Sequence, residues 1–428
     1  MIFRSKLFLV SMTLAMVIAG MAAPRITGSS WRAIIEPMDM RELEGQRVQW
    51  EGNLVLRSMH AMLTDFIPNE VFMFFSTDEY RALVPIFTAA IFTRLTGSYY
   101  WGTTVSELLW WWFGAIATVV LGRRLAVGWP ASVIAGMLVA SSPLAVAHVG
   151  ATHLHTASSV ALPVATVIAW DGLQSTHRSS LVRVFTAGFA IFLSSIVYTY
   201  QWVLVPWLLG LTLVVGQSRR WLGHVLGAGA LFIVMTLMAQ GLLHLGGLSV
   251  HAHQNDPLRV LADRNISHAL VDSLEYIRIV DVFQGIYIIC TTMWRIAGDM
   301  VLAYHPVIVG FAILGTFHGT RVHTYWMIIS TALALIQGYI YGLSWVLMSG
   351  FPIVYLSAGA GIALLSSFLA RLSRTFIVIR SCTANNPLRS EVFYMIIFTL
   401  VCMSATNLDL FGNDDFAIRW WGSWYKPH

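Results

Sequence analysis

Residues 103–122 read TTVSELLWWWFGAIATVVLG and run straight into Arg123 and Arg124. About twenty apolar residues are what a helix needs to cross a hydrocarbon core roughly 30 Å thick. Backbone amides in lipid must be satisfied within their own segment, so a run of this length reads as a helix. The arginine pair marks its cytoplasmic end. One acid, Glu107, sits near the other end. An acid at that depth is costly to keep and is a functional candidate. It could face a polar cavity, or pair with Arg81 or Arg94 at the interface.

The rest of the chain repeats this pattern. The 428 residues are 57% hydrophobic and only 11% charged. A soluble fold could not hide so much apolar surface behind so few charges. We expect an all-α integral membrane protein of about eleven transmembrane helices. The spans fall near 7–24, 103–122, 127–148, 156–173, 183–199, 200–216, 221–246, 299–317, 323–343, 350–370 and 391–408. The first follows Arg4 and Lys6 and is expected to be a signal-anchor helix. The whole chain, 1–428, is expected to form a single polytopic membrane domain.

Charge sets the orientation. With the N-terminus inside, the cytoplasmic turns carry Arg123, Arg124, Arg178, Arg183, Arg219, Arg220 and Arg321, and the last also Arg371, Arg374, Arg380 and Arg389. Acids in those turns are nearly absent, so the positive-inside rule is satisfied. Two long polar stretches, 25–102 and 248–298, and the tail 409–428 then lie outside. The net charge of +5 is explained by membrane edges and lipid headgroups, which argues against nucleic acid as a partner. The expected location is the bacterial inner membrane. Cys290, Cys382 and Cys402 are far apart and suggest neither a disulfide framework nor a metal site.

The outer loops contain local order. Asp39 can cap a helix, with Glu42 at its third position and Met38 stapled to Leu43. Ala82–Leu95 is apolar but short, and Pro85 and Arg94 suggest a helix along or partly entering the interface. Phe283–Trp294 suggests another interfacial helix. Tryptophans at predicted membrane edges, among them Trp110, Trp111, Trp112, Trp202, Trp207, Trp420, Trp421 and Trp424, are expected to form an aromatic belt.

Several side chains could carry chemistry. The first outer loop is rich in carboxylates, which at a membrane surface can act as general bases or hold a divalent metal ion. Asp78 is one candidate. His153 and His155, flanked by Thr152 and Thr156 in the second outer turn, could reach a phosphate or a metal, or hydrogen-bond at the interface. An HxH pair alone defines no metal site. Arg259, Arg264, Arg278 and Arg295 in the second long loop are suited to contact lipid headgroups.

Three local motifs occur in order: Tyr80-Arg81-Ala82-Leu83, then an apolar run to Leu95-Thr96-Gly97; a span ending Leu121-Gly122-Arg123-Arg124-Leu125; and Ser141-Ser142-Pro143-Leu144. Over roughly 25–175 this resembles the polytopic GT-C glycosyltransferases, in particular their O-mannosyltransferase-like branch. The resemblance implies a transferase that moves a sugar from a polyprenyl-phosphate donor to a protein or glycan acceptor on the outer face. It implies a catalytic acid in the first outer loop, about thirty positions before the Tyr-Arg segment, where this chain has Trp50-Glu51-Gly52-Asn53. Glu51 is then the expected base, with Asp78 as runner-up; Arg81, Glu107, His153, His155, Arg259, Arg264 and Arg278 are candidates for substrate binding. A divalent metal ion is compatible with such a site but nothing in the sequence requires one.

Two positions depart from the family pattern. Glu51 stands where Asp is usual, which displaces the carboxylate by a methylene. Before the late apolar span the family often carries an Arg-Tyr pair, and here the chain reads Met348-Ser349-Gly350-Phe351-Pro352. These departures keep open a catalytically silent subunit of a membrane complex. A transporter of lipid-linked material is a further alternative, for which Glu107 and Asp299 are the main intramembrane acids.

Overall fold

Apolar runs bounded by Gly, Pro and arginine become helices in the computed structural model, which describes residues 2–27, 83–125, 127–142, 145–146, 149, 155–174, 179–197, 219–245, 282–318, 328, 332, 351–375 and 387–412. Among these residues there is no strand. The helices are α1 (Ile2–Thr27), α2 (Leu83–Thr96), α3 (Tyr99–Arg124), α4 (Trp129–Ala140), α5 (Ser158–Gln174), α6 (Ser180–Val197), α7 (Arg219–Leu245), α8 (Val282–Tyr304), α9 (Pro306–His318), α10 (Phe351–Thr375) and α11 (Pro387–Gly412). A 3-10 turn, His155–Ala157, leads into α5. Among the described residues, α1, α3, α7 and α10 contain stretches long and apolar enough to cross a bilayer. The protein is an integral membrane protein.

Two helices organise the packing. Helix α3 touches α1, α2, α4, α5 and α10, and α10 touches α4, α9 and α11. A second row runs from α5 through α6 to α7. Lipid gives packed helices no hydrophobic reward for facing each other, so close approach must come from small residues. Helix α6 follows this rule. Its buried face is Ala187, Ala190, Ile191 and Ser194, while Phe185, Phe189 and Leu193 are exposed. Between α9 and α10 the backbones nearly touch, because a side chain at Gly361 would meet the carbonyl of Phe311 and one at Gly315 the carbonyl of Ser357.

The three consecutive tryptophans of α3 are not simply a belt. Successive residues on a helix point about 100° apart. Each indole N–H therefore reaches a different neighbour. Trp110 donates to Thr88 Oγ1 of α2 at 2.9 Å, Trp111 to the Val139 carbonyl of α4 at 2.7 Å, and Trp112 to the Ser11 carbonyl of α1 at 3.0 Å. Trp111 is fully buried. An indole N–H has no partner in hydrocarbon, which favours such pairing over lipid contact. Trp202, Trp207, Trp420, Trp421 and Trp424 lie outside the described residues.

Two spans differ from the sequence expectation. The run expected at 299–317 is broken at His305, whose φ of 68° is left-handed. Histidine is among the few non-glycine residues that enter this region readily. Its Nδ1 accepts the Val307 N–H at 3.2 Å, and Pro306 begins the next helix. Asp299 and the expected interfacial helix Phe283–Trp294 both belong to the continuous helix α8. The run expected at 127–148 leaves the helix at Ser141, which caps α4. The spans expected at 200–216 and, apart from residues 328 and 332, 323–343 lie outside the described residues, as does the Asp39 cap.

Candidate functional site

Adjacent residues Ser106 and Glu107 sit on α3, and each receives the first turn of a neighbouring helix. On one side is α2. The Ser106 hydroxyl donates to the Pro85 carbonyl at 3.3 Å and lies 2.9 Å from Thr88 Oγ1. The Thr88 hydroxyl also reaches the Pro85 carbonyl, at 2.7 Å. Helix α2 thus begins about two turns along α3 from the N-terminus of α3 and runs back to the tight turn at Gly97, where φ is 70°. Close approach is possible because Gly102 faces Thr93. A Cβ at Gly102 would stand 2.7 Å from the Thr93 amide nitrogen. The short apolar run with Pro85 is therefore a helix packed against α3.

On the other side is the start of α5. Glu107 is completely buried. Its Oε2 accepts the Thr156 backbone N–H at 3.4 Å and also a hydrogen bond from the Thr156 hydroxyl. The same hydroxyl lies 3.1 Å from the Glu107 carbonyl. Ser159 then donates to the Thr156 carbonyl at 2.6 Å, closing the turn. The first N–H groups of a helix lack intrahelical acceptors and carry a partial positive charge. A carboxyl group from another helix is a suitable acceptor for them. That pairing explains how an acid is tolerated inside the apolar run of α3. Arg94, one of the partners considered for Glu107, is exposed near the end of α2. One turn before Glu107, Thr104 Oγ1 is buried without a hydrogen-bond partner.

A further buried polar pair lies where α4 ends. The Tyr355 hydroxyl of α10 donates to Ser142 Oγ at 2.9 Å, and the Tyr304 ring meets Tyr355 edge-on at 6.0 Å between centroids. Neither Thr156 nor Tyr355 was singled out as a partner from sequence. Their contacts join residues 49 and 213 positions apart, beyond the reach of local pattern.

Of the site residues proposed from sequence, Glu107 is placed with its side chain. His155 is placed by its backbone at the first position of the 3-10 turn. Glu51, Asp78, Arg81, His153, Arg259, Arg264 and Arg278 lie outside the described residues. Arg81 precedes Leu83, the first residue of α2, by two positions, and His153 precedes the 3-10 turn by two.

No family model matches the chain, and no curated protein sequence matches it. Solved structures do. The chain is similar to ArnT from Cupriavidus metallidurans bound to undecaprenyl phosphate, with a TM-score of 0.53 at 12% identity, covering 95% of this chain and 72% of that one. The apo state of the same protein gives 0.51 at 13% identity, over 83% and 71% of the two chains. The oligosaccharyltransferase of Archaeoglobus fulgidus in its apo form gives 0.47 at 11% identity, over 94% and 56%. At such identity the likeness to ArnT is one of architecture: the chain has a GT-C-like fold.

Proposed function

We propose that this protein is a membrane glycosyltransferase that moves a sugar from a polyprenyl-phosphate donor to an acceptor on the extracytoplasmic face. The observation that carries the reading is the GT-C-like fold, together with its likeness to an ArnT structure that holds undecaprenyl phosphate. Glu51 takes the proton of the acceptor hydroxyl, whose oxygen attacks the anomeric carbon as the bond to the phosphate oxygen breaks. Arginines of the second outer loop, Arg259, Arg264 and Arg278, balance the charge left on the departing polyprenyl phosphate. Asp78, Arg81, His153 and His155 complete the polar face of the site. The N-terminus is cytoplasmic and the C-terminus outside, in a bacterial inner membrane. A divalent ion among the outer carboxylates is compatible with this scheme.

The test is transfer from a labelled polyprenyl-phosphate sugar by the purified full chain, wild type against Glu51→Gln. Loss of the base is expected to lower turnover about 100-fold or more. Equal turnover in the two proteins would remove Glu51 from the mechanism. The second reading, a silent subunit of a membrane complex, is favoured by Glu51 in place of Asp and by the missing cation near Met348. It predicts no turnover with any donor and co-purification with other subunits.

A further inference from the structure

We propose that Glu107 and Thr156 form a latch that positions the second outer turn for catalysis, so that Glu107 acts through the protein and not on the substrate. The activity arm of this proposal rests on the transferase reading above; its structural arm does not. Glu107 Oε2 is committed to the N–H and hydroxyl of Thr156. The whole side chain is also buried, so it is poorly placed to serve as a base or as a substrate ligand as well. The consequence falls on the chain just upstream. His155 opens the 3-10 turn that Thr156 locks, and His153 precedes it by two residues. Fixing Thr156 to α3 fixes the point from which both histidines depart.

The neighbouring contact gives the latch its meaning. Ser106 holds the first turn of α2 through Pro85, and the chain entering α2 carries Asp78 and Arg81. Residues 106 and 107 are adjacent, so two separate outer segments are tied to α3 at one depth. An acid is suited to this work. One of its oxygens accepts an N–H and an O–H together. Losing one such partner in a buried site leaves the other unsatisfied.

The experiment uses the full chain in lipid nanodiscs, with Glu107→Leu, Glu107→Gln, Thr156→Val, Thr156→Ser and the Leu/Val double variant. The first readout is hydrogen exchange of segment 155–165, with 306–318 as internal reference. Glu107→Leu and Thr156→Val are each expected to speed exchange in 155–165 by about tenfold. The double variant should do no more than either single change, because both remove the same contact. Glu107→Gln, which keeps an acceptor, and Thr156→Ser, which keeps the hydroxyl, should stay near wild type in exchange. The second readout is transfer from a labelled polyprenyl-phosphate sugar. There kcat should fall about tenfold in Thr156→Val with KM for the donor within about twofold, and Thr156→Ser should restore it. Unchanged exchange in Glu107→Leu and Thr156→Val, or an equal rise in 306–318, would overturn the latch. Altered exchange with unchanged kcat would overturn its positioning role. With no wild-type turnover the transferase reading fails, and exchange alone decides the latch. Thr156→Val is nearly isosteric and keeps the test usable should Glu107→Leu not fold.

Discussion

Helices α3 and α7 are both apolar enough to cross a bilayer, yet 56% of the apolar stretch of α3 is buried against 17% of that of α7. Apolarity therefore decides that each enters the membrane, not where it stands within the bundle. The polar and small residues decide that. Helix α3 carries Gly102, Ser106, Glu107, Trp110, Trp111 and Trp112, and each faces a neighbouring helix or donates to or accepts from one. On its exposed face α7 shows Leu222, Leu226, Ile233, Val234, Leu237 and Met238, side chains that lipid tails solvate as well as protein does.

One substitution made in both helices tests this contrast most severely. Gly102→Ala would place a methyl group 2.8 Å from Thr93 Cα, whereas a methyl at Gly223 of α7 meets nothing within 4 Å. The first is expected to destabilise by about 3 kcal/mol. The second should be neutral or stabilise by up to ~1 kcal/mol through helix propensity. Thermal unfolding in one detergent compares them directly, and equal Tm values would break the contrast. A milder probe is Trp111→Phe, which removes the indole donor to the Val139 carbonyl, leaves it the Ser142 N–H at 3.2 Å, and vacates part of a fully buried site. About 2 kcal/mol is expected, while Leu226→Ala on the exposed face of α7 should cost less, because no packed neighbour is lost. The smallest effect belongs to Arg124 and Asp171, whose ion pair at 3.0 Å is 55% and 41% exposed. Arg124→Gln should change stability by no more than ~0.5 kcal/mol, and added salt should abolish the difference.

The same contrast explains what could be read from the sequence. Apolar runs and arginine placement were enough for an all-helical membrane fold, because insertion depends on composition along a segment. The motif order over 25–175 was enough for the GT-C-like architecture. The break at His305 was less visible. Pro306 signals a helix start, but a left-handed histidine inside an apolar run carries no mark of its own. The tryptophan triplet suggested a lipid interface because indoles favour one, and only the neighbours' positions reveal three acceptors. Glu107 was conspicuous as an acid in an apolar run. Its partner was not, since Thr156 resembles any other threonine near a helix start. The remaining candidates were read from polar stretches of sequence, where periodicity carries no information on side-chain position.

The tryptophan contacts have a bearing on how the chain is made. Their acceptors lie at Ser11, Thr88 and Val139, and their donors at Trp110, Trp111 and Trp112. All six positions fall within the first third of the polypeptide. As synthesis proceeds, each indole can find its acceptor before α5 has been translated. The N-terminal part can therefore mature as a platform, and α10 docks onto it later, its Tyr355 then reaching Ser142.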